Sequence, residues 1–197
     1  MTEFGKLLRD IFGPRDVSEE YRQLVRRVAD RRREQDDSNR VSASSDSSAI
    51  VVVSELFRIA GKKVLIFGKT LPAGVFLSEE VTFALREYLY RNPEAQLQII
   101  TSDERFTADA IGLACGIPLT RQMLARTVFL PCPPDSHRLF QFMYVDSDIA
   151  PSAFVHDYNG RVPNFVSNGY GFFRNSYQSE VMRRMFERMA SQFGSPT

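Results

Sequence analysis

The chain has 197 residues, enough for one well-buried core but short for two full domains. Its apolar content of 43%, with 16 Phe and 7 Tyr, excludes general disorder, and a net charge of +1 excludes strong global attraction to DNA or an anionic bilayer while leaving room for a local basic patch. No apolar run approaches the roughly 20 residues a bilayer needs, and the first residues are broken by Lys6, Arg9 and Asp10 rather than forming a signal-peptide core, so a cytoplasmic protein with no membrane partner is expected.

In chain order, Phe4, Leu7, Leu8, Ile11 and Phe12 recur at helical spacing and make one short apolar stripe, stopped by Gly13-Pro14. A helix this short rarely stands alone, so Phe4, Leu8, Ile11 and Phe12 are the candidate partner-binding residues, for docking on the chain's own domain, on a protein partner or on a second copy of itself. Asp16 and Glu19 resemble a capping box opening a second helix that runs to about Glu34, with few apolar side chains and with Arg22, Arg26, Arg27, Arg31, Arg32 and Arg33. Arg22, Arg26, Arg27, Arg31 and Arg33 are the candidate phosphate or nucleic-acid contacts, although Glu19, Glu20, Asp30, Glu34, Asp36 and Asp37 reduce their field. Residues 1–34 thus read as a charged helical arm, and 35–48 (QDDSNRVSASSDSS) as a Ser-rich flexible linker, because Ser side chains compete for backbone hydrogen bonds and add nothing to a core.

The domain is expected over 49–193. AIVVVSELFRIA reads as a buried helix, though its β-branched start equally fits a strand. KKVLIFG and LQIIT are short apolar runs of the kind that form strands covered on both faces. Between them lies a helix from about Ser78, with Glu79 and Glu80 in its first turn, ended by Asn92-Pro93. Ser102-Asp103 starts a further helix to about Cys115, and Arg121 to Arg126 forms another before VFLP. This alternation predicts parallel strands with right-handed crossovers. The last third differs: 138–146, 152–158, 161–167 and 169–173 are aromatic, β-branched pieces separated by turn residues, including Asn159-Gly160 and Asn168-Gly169, and read as antiparallel strands. A closing helix over 176–193 turns Val181, Met182, Met185, Phe186 and Met189 inward. The fold class is α/β, a single mixed β-sheet flanked by helices and preceded by a helical N-terminal arm. Aromatics on such a sheet form a core or, beside Arg138, Arg161 and Arg174, a surface for stacking unpaired bases.

Catalytic machinery is sparse. There are two histidines, His137 and His156, and no phosphate-loop, dinucleotide or His-x-x-x-His motif. Lys69-Thr70 follows Gly68 without a glycine loop and reads as a polar tip after a strand. Cys115 and Cys132 stand apart, so neither a metal site nor a redox pair is expected, and no cofactor. Ala60-Gly61-Lys62-Lys63 before VLIF, the unit NPEAQLQIITSDE and the closing helix SEVMRRMFERMASQF together resemble, in rhythm, the phospholipase D superfamily domain. Enzymes of that family use a His-x-Lys pair followed by an Asp, whereas here Leu139 and Tyr158 stand two residues after the histidines and no lysine follows Lys69. The resemblance therefore implies a degenerate member, in which Arg138 or Arg161 could hold a phosphate without cleaving it. The expectation is a non-catalytic interaction or regulatory module of bacterial type that self-associates through its arm; the alternatives are a nucleic-acid-associated protein of that fold and, third, an atypical phosphodiesterase using His137 or His156 across a dimer.

Overall fold

A computed structural model describes residues 17–31, 39–115, 126–132, 141–156 and 169–193. Their centre is β2 (Lys63–Phe67), where VLIF is buried on both sides. Side chains alternate across a strand, so Val64 and Ile66 enter one apolar cluster and Leu65 and Phe67 the other. On one flank β3 (Gln96–Thr101) and β4 (Thr127–Pro131) continue in parallel; on the other β5 (Gln141–Val145), β6 (Ser152–His156), β7 (Gly169–Phe172) and β1 (Arg40–Ala43) follow antiparallel, giving the order β1-β7-β6-β5-β2-β3-β4. The expected mixed sheet flanked by helices is the observed fold. Strand 161–167, the helix over 121–126 and the Phe4–Phe12 stripe lie outside the described residues.

One face of the sheet carries α1 (Glu19–Ala29), α2 (Asp46–Ile59), the single turn α3 (Ala73–Phe76), α4 (Glu79–Arg91) and α5 (Ala108–Ala114). The other carries α6 (Ser176–Phe193), whose Met182, Phe186 and Met189 meet Leu65, Phe67, Phe142 and Tyr144. Val181, expected inward, is 37% exposed. Helix α2 settles the ambiguous AIVVV run: ten of its fourteen residues are buried, so tertiary packing outweighs the β preference of Ile and Val. Arg91 ends it, donating to the carbonyls of Phe57, Arg58 and Ala60 at 3.2, 2.8 and 3.0 Å, and so satisfies carbonyls that the helix leaves without partners.

Two expectations about the N-terminal part need correction. Residues 40–43 are not linker: they pair with Phe172–Gly169 of β7, with Val41 and Ala43 buried and Arg40 and Ser42 outward. Within the serine run, Ser45 accepts from the Ser48 amide at 3.2 Å while the Ser48 hydroxyl receives the Ser45 amide at 3.0 Å, a reciprocal capping box that starts α2 three residues before Ala49. Ser45→Ala is expected to lower stability by about 1 kcal/mol in urea melts, because one amide of the first turn loses its acceptor. Nor is α1 an arm apart from the domain, since its thin apolar face, Val25, Val28 and Ala29 at 0%, 2% and 0% exposed, joins the main core. Its cap is Ser18, not Asp16, and it ends at Asp30 rather than near Glu34.

Candidate nucleic-acid interface

Helix α1 is amphipathic in a narrow way. Tyr21, Val25, Val28 and Ala29 turn to the core, and the remaining positions are polar apart from Leu24. Two tethers fix its orientation. At its start, the Tyr21 hydroxyl donates to the Ser42 carbonyl of edge strand β1 at 2.7 Å. At its end, the Arg174 Nε donates to the Ala29 carbonyl at 2.7 Å, placing a guanidinium at the negative end of the helix dipole. Burial pushes the Tyr21 phenol up to about 12. A folded tyrosine that holds its proton longer than the unfolded chain stabilises the fold fully below about pH 10 and loses that contribution as pH rises towards 12. Tyr21→Phe is therefore expected to flatten the alkaline fall of stability in melts between about pH 10 and 12, while Tyr88 and Tyr144, also pushed up by burial, keep part of the slope.

The arginines of α1 face outward from this fixed support. Arg22 donates to Glu80 of α4 at 2.7 Å. Arg26 and Arg27 are exposed and form no ion pair among the described residues; Arg27 reaches only the Gln23 carbonyl of its own helix, at 3.4 Å. Arg31 is exposed just past the helix end. Arg33, Arg138 and Arg161 lie outside the described residues. Helix α6 offers the contrast. It carries arginines as well, but Arg183 donates to Glu180 and Glu187 at 2.6 Å each and Arg184 to Glu180 at 2.9 Å, and these arginines hold the Glu180 carboxyl down at about 2. Cations matched to carboxylates along their own helix have little field left for a phosphate, whereas Arg26 and Arg27 keep theirs.

Between α1, α2 and α4 is a cleft of about 230 Å³. Arg22 and Arg26 enter it from α1, Ser54, Glu55 and Arg58 from α2, and Glu80 and Phe83 from α4. Arg58 is committed to Glu55 and, at 2.6 Å, to Asp30. Ser54 is 9% exposed and its hydroxyl oxygen is covered and without a hydrogen-bond partner. Phe83 is 54% exposed, with the Arg86 guanidinium 4.8 Å from its ring centre.

The other candidates separate. His156 is 3% exposed on the same sheet face as Phe154, and His137 and Asp157 lie outside the described residues. Glu79 and Glu80 begin α4, and Glu80 serves Arg22. Around Lys69-Thr70 it is carbonyls that are engaged: Lys69 accepts from Ser102 and Thr101, and Thr70 from the Gln141 side chain. A phosphate cradle needs converging amide donors, so the polar-tip reading fits this segment. Cys115 and Cys132 are buried, and burial pushes the Cys115 thiol up. Among the described residues no group of three metal-ligating side chains occurs, and no helix is long and apolar enough to cross a membrane. Of the late aromatics, Phe142 and Phe154 are core, while Tyr170 and Phe172 are half-buried on β7, with the Arg40 guanidinium 4.1 Å from the Tyr170 ring centre.

Set against known proteins, the chain matches no family model and no curated protein. Among solved structures it aligns over 97% of its length with TrmBL2, described as an archaeal chromatin protein with a novel mode of DNA binding, at a TM-score of 0.54 and 8% identity. The chain shares a fold with TrmBL2. It spans 60% of that longer chain, and at this identity the likeness extends to the fold alone. The comparison corrects two expectations. The matched structure is an archaeal DNA-binding protein rather than a bacterial or phospholipase D-type one, and with no family model matching, the rhythm of apolar runs that suggested the phospholipase D superfamily is accounted for by alternating strands and helices in a mixed sheet.

Proposed function

We propose that the chain is a nucleic-acid-associated protein that lays α1 against the phosphates of DNA. One observation carries this reading: Arg26 and Arg27 stand exposed, without a carboxylate partner among the described residues, on a helix pinned at both ends. A fixed support matters because a cation already held in place gives up little freedom when it meets a phosphate. The fold shared with a DNA-binding chromatin protein supports the same reading. With a net charge of +1, attraction has to come from this local patch, so affinity should be modest and strongly dependent on salt. The interaction role expected for Phe4, Leu8, Ile11 and Phe12 rests on residues outside those described.

The test is fluorescence anisotropy of labelled duplex DNA titrated with the protein. Arg26→Glu with Arg27→Glu should weaken binding more than about tenfold at 50 mM salt and reduce the salt slope by about two, the number of phosphate contacts removed. Equal binding by the variant and the parent would place the DNA surface elsewhere.

A further inference from the structure

The cleft between α1, α2 and α4 has a charge pattern that singles out one kind of guest. Three guanidiniums line it, but Arg22 is matched by Glu80, and Arg58 by Glu55 and Asp30. That leaves Arg26 as the lining guanidinium with no carboxylate in contact among the described residues, the one cation of the cleft not already engaged by an acid. A phosphodiester supplies one negative charge per group. A guest with several carboxylates would also have to meet Glu55 and Glu80.

Two further features point the same way. Ser54 is more than nine-tenths buried, lines the cleft, and has a hydroxyl with no hydrogen-bond partner among the described residues. A buried hydroxyl without a partner is destabilising, a cost that an arriving acceptor oxygen removes. At the rim Phe83 keeps more than half of its surface open to solvent, beside the Arg86 guanidinium, so a ring face is available next to the cleft. Phosphate beside a flat apolar ring is the chemistry of a nucleotide unit.

We propose that this cleft binds a phosphate group, held by Arg26 and by the Ser54 hydroxyl once the side chains over it shift to admit the guest, with the neighbouring base or sugar of a nucleic-acid strand against Phe83. For the source of that phosphate the proposal rests on the reading of α1 as the DNA-facing helix. The geometry differs from a simple surface contact: Arg27 and Arg31 lie outside the cleft, and a strand reaching both them and Arg26 would run along α1 with one phosphate drawn inward.

The experiment compares four variants of the full chain, Arg26→Ala, Ser54→Ala, Phe83→Ala and Arg27→Glu, in two arms. One arm titrates labelled DNA and the other inorganic phosphate, followed by amide chemical shifts. Ser54→Ala should hold or raise the melting temperature, since it removes a buried hydroxyl without a partner, and yet weaken DNA binding about fivefold. Arg26→Ala should weaken it by about tenfold, and inorganic phosphate should shift the amides around Ser54 and Phe83 in the parent but not in Arg26→Ala. If Ser54→Ala and Phe83→Ala bind DNA as the parent does while Arg27→Glu does not, the cleft is overturned and the helix reading survives. If inorganic phosphate moves the cleft amides and no variant or parent binds DNA, the phosphate site stands and the nucleic-acid reading falls. Phosphate shifts that persist unchanged in Arg26→Ala overturn the site itself.

Discussion

Gly171→Val is expected to lower the stability of the chain by about 3 kcal/mol or more, the largest loss from any single change considered. Strand β7 lies between β6 and β1, and its Gly171 faces the Val52 side chain of α2 at close range. A Cβ at Gly171 would sit 2.7 Å from the Val52 Cγ1 and 3.1 Å from the Phe173 ring. Val52 is fully buried in the middle of α2, so neither contact can be relieved by a surface side chain swinging away. Valine adds two more methyl groups to that gap and forces α2 from the sheet. Gly171→Ala and Val52→Ala should each destabilise, the first by overpacking and the second by a cavity, and the double variant should lose about 1 kcal/mol less than their sum, because the new methyl fills the space the old one vacated. Additive losses in urea melts would mean that the strand, not the contact with Val52, absorbs the change.

The second large effect concerns Arg174. Its backbone adopts φ of 50°, the left-handed region that costs a non-glycine residue about 1–2 kcal/mol, and its side chain is only 7% exposed. What holds it there is a pair of hydrogen bonds: its amide donates to the Ser152 Oγ and its Nε to the Ala29 carbonyl, both at 2.7 Å. Arg174→Ala keeps the strained backbone and strands the carbonyl, and should cost about 3 kcal/mol. Arg174→Gly loses the same side-chain bond but relieves the backbone, and should be milder by about 1 kcal/mol, an order opposite to the usual penalty for glycine. Because this arginine ends α1, both variants should also weaken DNA binding without removing any cation of the proposed surface.

How far the sequence alone reached depends on where the determining contacts lie. VLIF is recognisable because a strand buried on both faces is apolar throughout, LQIIT because it comes close to that pattern with only Gln98 and Thr101 polar, and α4 because Ser78, Glu79 and Glu80 sit at its start. Strand β1 was not, since RVSA is an edge strand with only two inward residues, set within a serine-rich stretch of linker composition. The same serines hid a capping box in which Ser48 takes the place usually held by Glu or Gln. The arginine cluster of α1 was legible as a basic run, but not its division of labour. Arg22 finds Glu80 58 positions away, and the cleft gathers Arg26, Ser54 and Phe83 from three helices, none of which signals it alone. Conversely, the phospholipase D resemblance rested on a succession of apolar runs that many mixed sheets share.

The central claim, that α1 presents cations to nucleic-acid phosphates, is met most directly by one measurement: the affinity of the intact chain for a duplex DNA across 50 to 200 mM salt, beside the Arg26→Glu, Arg27→Glu variant of equal stability. The account predicts binding that weakens steeply with salt in the parent, with a shallower slope and at least tenfold lower affinity in the variant. Parallel curves of the same affinity, or no binding by the parent at 50 mM salt, would contradict it.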